Sequence, residues 1–125
     1  MVPSTKISHT ILEFGKSLIN QLPQGHTKQD FEAVISIVIL VWNVVVMDTW
    51  RAEHNFESDL LERISSEPKE YQLVIKRLIR RKKKKYGNDP RGVGNHWVRE
   101  ENGEFIFGCE ARLDVESVCA TGSVH

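Results

Sequence analysis

The sequence predicts an α+β domain: about four helices packed around a buried central helix, residues 31–47, with an antiparallel β-hairpin over 96–112 at the C-terminal side. Three observations predict it. Apolar residues recur at helical spacing in the first 85 positions, a nearly unbroken apolar run lies among them, and the period changes to two around Asn102-Gly103. A chain of 125 residues is expected to form one globular unit, 1–116, with a flexible tail, 117–125, that carries no core-forming pattern.

Ile7, Ile11, Phe14, Leu18 and Leu22 follow spacings of four, three, four and four, which marks one helical face. That helix is expected to end near Gln21, because Pro23 and Gly25 follow. Thr27-Lys28-Gln29-Asp30 reads as a capping sequence, in which the threonine oxygen accepts a backbone N–H and the acid favours the positive end of the helix dipole. From Ala33 to Met47, thirteen of fifteen residues are apolar. As a helix this run spans about 22 Å, short of the roughly 30 Å hydrocarbon core, so a buried helix is expected rather than a membrane span. Asn43 interrupts it, and an amide inside an apolar helix must find partners.

Trp50 to His54 reads as a helix terminus with local ion pairs. Asn55 or Ser58 caps a short third helix carrying Leu60, Leu61 and Ile64, and Pro68 sits in the first turn of a fourth. The fourth helix has the cleanest period, with Tyr71, Val74, Ile75, Leu78 and Ile79 on one side and basic residues on the other. Gly87 to Pro90 and Gly92 to Gly94 are expected to form a loop. Asn102-Gly103 then predicts a two-residue turn that pairs Glu101 with Glu104, Val98 with Phe107, Trp97 with Gly108 and His96 with Cys109. Val98, Phe105 and Phe107 fall on one face, while Trp97 and Ile106 fall on the other, where they are the expected interface of a homodimer.

Charge gives the functional lead. Residues 76–91 hold nine of the seventeen Lys and Arg residues against one acid, Asp89, for a net +8, while 1–75 and 92–125 each carry −4. The leading expectation is a small non-enzymatic binding protein that presents this helix and loop to nucleic acid or another polyanion. Arg77, Arg80, Arg81, Lys83, Lys84 and Arg91 are the candidate backbone contacts, with Tyr86 as an aromatic for base stacking. An acidic protein is the alternative ligand, and a homodimeric interaction or assembly module the alternative function.

Arg91 and His96 satisfy an Arg-x4-His spacing that resembles the catalytic motif of the HEPN ribonucleases. In that family the two residues sit on a helix of a helical bundle, often across a dimer interface, and cleave RNA without metal. The resemblance implies, as a second alternative, a metal-independent ribonuclease using Arg91 and His96. Here both residues fall in a glycine-rich stretch leading into a strand.

No cofactor or metal site is expected. His96 and Cys109 form a cross-strand pair, but His26, His54 and Cys119 show no ligand spacing, and no Walker loop, Rossmann glycine pattern or G-x-S-x-G elbow occurs. Two cysteines are too few for a disulfide framework, and the amphipathic N-terminal segment lacks a secretory apolar region. A cytoplasmic protein is expected.

Overall fold

The computed structural model describes residues 6–50 and 55–112, so the expected tail and most of the Trp50 to His54 stretch lie outside the described residues. The elements run α1 (Ile7–Phe14), α2 (Lys16–Ile19), α3 (Lys28–Trp50), α4 (Phe56–Arg63) with a 3-10 turn (Ile64–Ser66), α5 (Lys69–Lys85), β1 (Gly92–Glu101) and β2 (Glu104–Arg112). The α+β class, the central helix and the C-terminal hairpin all follow the sequence expectation. The first expected helix is divided at Gly15, where a Cβ would stand 2.6 Å from Val38 Cγ2. Glycine there lets α1 and α2 approach α3 closely, a tertiary demand that the apolar spacing does not reveal.

Thr27 and Asp30 cap α3 reciprocally: the Asp30 N–H donates to Thr27 Oγ1 at 3.1 Å, and the Thr27 N–H donates to Asp30 Oδ2 at 3.0 Å. These hydrogen bonds hold the Asp30 carboxyl below its ordinary pKa. Starting at this cap, α3 has 23 residues. That is about 34 Å of helix, longer than the apolar run alone suggested and long and apolar enough to cross a membrane by length and composition. In the fold it is the central element. Phe31, Ile35, Val38, Ile39, Val41, Trp42, Val44, Val45 and Val46 are buried, against α1, α4, α5 and the hairpin. A narrow stripe of Ala33, Ser36 and Leu40 stays exposed, so neighbours cover most of its circumference rather than all of it.

Asp48 near the end of α3 accepts the first two N–H groups of α4, Phe56 at 2.6 Å and Glu57 at 2.8 Å, while Asn55 accepts Ser58 N–H at 3.2 Å. The start of α4 is thus tied to α3 by a carboxylate at the positive end of its dipole. Leu60 and Ile64 complete this side of the core.

The hairpin has the predicted pairing from His96–Cys109 to Glu101–Glu104. Asn102 (φ 53°) and Gly103 (φ 81°) are both left-handed, as a tight two-residue turn requires. The strand begins earlier than expected, because Gly92 to Gly94 belong to β1 instead of the preceding loop. Gly94 and Asn95 stand opposite the single residue Glu110, a bulge that reverses the alternation and brings Val93 to the inner face beside Val98. Val93, Val98 and Phe107 are buried there, and Phe105 stacks on Phe31 at 5.6 Å.

Candidate nucleic-acid interface

On α5 the buried positions Ile75, Leu78, Ile79 and Lys82 face the core. At about 100° per residue, Arg77, Arg80 and Lys84 lie together on the opposite, solvent-facing crest. Arg81 and Lys83 differ by about 200° and therefore occupy the two flanks of that crest. Each flank meets an acid. Arg81 reaches α1, donating Nε to Phe14 O at 3.0 Å and Nη2 to Glu13 O at 3.1 Å, with Glu13 Oε2 at 3.8 Å. Lys83 reaches α4, with Nζ 2.6 Å from Glu57 Oε1.

An open groove of about 460 Å³ runs along this face, lined by Arg77, Arg80, Arg81, Lys84 and Lys85. Among the described residues, no ion pair or hydrogen bond holds Arg77, Arg80 or Lys84. A second groove of about 270 Å³ lies between α4 and α5, where Glu57 joins Lys76, Arg80 and Lys83. Arg80 is the ridge between the two. The structure therefore brings Arg77, Arg80, Arg81 and Lys84 to one groove and turns Lys83 toward the other. Lys85 was missing from the sequence candidates, although the spacing 77, 81, 85 already puts it on that side.

Lys82 points the other way. It is 2% exposed, its ammonium lying 4.2 Å from the centroid of the Trp42 ring and donating to Tyr86 O at 2.7 Å and Asp89 O at 3.2 Å. The lysine thereby satisfies a carbonyl at the C-terminal end of α5 and pins the following loop. Burial pushes its pKa down to about 8, against the opposing pull of the Asp89 charge.

Tyr86 and Arg91 are likewise structural in position. The Tyr86 ring packs edge-on against Phe14 at 5.8 Å and tilted against Trp42 at 5.6 Å, with the cations of Arg81 and Lys85 within 6 Å of its centroid. Burial raises its phenol pKa. Arg91, 5% exposed, donates Nε to Asp89 Oδ1 at 2.9 Å and Nη2 to Asp89 Oδ2 at 2.8 Å and to Thr10 Oγ1 at 3.2 Å. Burial alone would raise the Asp89 pKa, but hydrogen bonds from Arg91 and the charges of Arg91 and Lys82 outweigh it and hold the carboxyl low. The Asp89 carboxylate thus binds Arg91 directly and acts on Lys82 through its charge alone, while burial is what lowers the lysine. His96 lies exposed on β1 beyond the bulge.

On the outer face of the hairpin Trp97 is 46% exposed. Its ring covers Gly108, where a Cβ would come 2.1 Å from Cζ2, and the Arg99 guanidinium stands 4.7 Å from the ring centroid. Ile106 beside it is half-buried. Cys109 pairs with His96 across the strands, and burial pushes its thiol up to about 11. Among the described residues no group of three or more His, Cys, Asp or Glu side chains is placed to hold a metal ion.

Comparison of the chain with protein families, with curated proteins and with solved structures gives no match in any of the three.

Proposed function

We propose that this protein is a small non-enzymatic cytoplasmic binding protein that offers the crest of α5 to a polyanion, nucleic acid foremost. One observation carries the reading: Arg77, Arg80 and Lys84 share an open groove with Arg81 and Lys85 and have no counter-charge of their own among the described residues. Cations held unpaired on one face are a direct electrostatic footprint for phosphates. With Tyr86 packed into the aromatic cluster and no base-reading motif in the chain, the contacts are to the backbone and independent of sequence. Purification without nuclease, followed by the absorbance ratio and molar mass on one column, tests it. Co-purifying nucleic acid released by salt supports the reading, whereas retention of an acidic protein in its place, or a clean protein that ignores nucleic acid at low salt, overturns it.

A second reading, assembly as a homodimer through Trp97 and Ile106, is favoured by the exposed indole of Trp97. The ribonuclease alternative gains nothing comparable, since the Arg91 guanidinium is engaged by Asp89.

A further inference from the structure

The nine cations of the 76–91 block do not form one broad surface. Lys82 is buried, Arg91 is paired with Asp89, and Lys83 is paired with Glu57. Arg81 is anchored to the end of α1 beside Glu13. Lys76 lies off the crest in the second groove, and Lys85 lies on the far flank against the Tyr86 ring. What remains unpaired on the crest is a single row, Arg77, Arg80 and Lys84, with one acid on each side: Glu13 beyond Arg81 and Glu57 beyond Lys83. The row is about 10.5 Å long by helix rise and offers three cations, one for each of about three successive phosphates of a strand.

Resting on the reading of α5 as a nucleic-acid face, we propose that this crest is a single-track site. The site is the crest row itself: it holds about three consecutive phosphates of one strand, with Glu13 on the α1 side and Glu57, in the second groove, on the α4 side. The two acids work in two ways. Each neutralises the cation it touches, and each repels phosphates that stray from the row, because exposed like charges within a Debye length oppose one another. Arg81 stays in place without its acid, since two backbone carbonyls also hold its guanidinium. Removing the Glu13 charge therefore adds a cation to the track without freeing its side chain.

The number of phosphates engaged is readable from salt. A labelled single-stranded oligonucleotide should show a slope of log K against log salt of about −2, and the matching duplex about −3, both from three contacts. Engagement of the whole basic block would give about −6 on the single strand. Glu13→Gln and Glu57→Gln should each tighten binding severalfold and steepen the slope, with the helical content of the protein unchanged. A wild-type slope near −6, or variants that bind as the wild type does, overturns the single track and leaves the nucleic-acid reading standing. Absence of any binding by the wild type overturns both.

Discussion

The side-chain amide of Asn43 pairs with both backbone groups of Val93, Nδ2 donating to the carbonyl at 3.0 Å and Oδ1 accepting the N–H at 2.7 Å. A helix residue thereby acts as a short additional strand at the edge of β1, next to the bulge where the regular ladder is interrupted. Trp42, its neighbour on α3, donates Nε1 to Arg91 O at 2.7 Å, so two consecutive residues fasten the start of the hairpin to the core.

Asn43→Leu should leave both Val93 groups unpaired and destabilise the fold by about 2–4 kcal/mol. Asn43→Asp keeps the acceptor but sets a carboxylate against the Val93 carbonyl, with a loss of similar or larger size. Chemical denaturation measures the stability, and amide exchange at Val93 localises the effect. Full tolerance of aspartate would show that the pair carries no stability.

Asp89 balances Arg91 and Lys82 together. Asp89→Asn should destabilise by roughly 3–5 kcal/mol, because it leaves two buried cations without an acid. Lys82→Met, which removes one of those cations and preserves the packing on Trp42, should change stability far less. A reversed order of the two variants would contradict the account.

Lys82 also gives a pH signature. Its folded pKa, about 8, lies below its ordinary 10.5, so between those values the unfolded chain binds the proton that the folded chain has released. Stability through this group therefore rises as pH increases from about 8 to 10.5, and that increment should vanish in Lys82→Met. A pH-stability curve of the two proteins checks the sign.

Gly108 is required by the ring above it. Gly108→Val should displace Trp97 from the strand, cost about 1–3 kcal/mol and red-shift tryptophan emission. Replacing Trp97 with Lys and Ile106 with Glu tests the second functional reading on the same surface. A folded monomer from a dimeric wild type supports it, and a wild type that sediments as a monomer at high micromolar concentration removes it.

The elements most legible in the sequence are those with local causes. The hairpin register follows from two left-handed residues at 102 and 103, and the start of α3 follows from a reciprocal cap between 27 and 30. Gly15 was opaque because its reason, Val38, lies on another helix. Gly92 to Asn95 looked like loop because a bulge and glycines erase the alternation, and the partner that stabilises Val93 is a side chain fifty residues away. Within the basic block, composition suggested one surface, but the spacing Tyr71, Ile75, Leu78, Lys82 continues the apolar stripe of α5 and marks Lys82 as inward. Arg91 was harder to place, since its pairing with Asp89 depends on how the loop turns.

The central claim is that the unpaired crest of α5 binds nucleic acid. Arg81 and Lys83 are poor choices for testing it, because reversing them would disturb α1 and α4 as well. The direct measurement is anisotropy of a labelled oligonucleotide at low salt with the wild type and with Arg77→Glu, Arg80→Glu and Lys84→Glu combined, their circular dichroism matched. The account predicts saturable, salt-sensitive binding by the wild type and a loss of about a hundredfold or more in the variant. Equal binding by the two proteins, or none by the wild type, would contradict it.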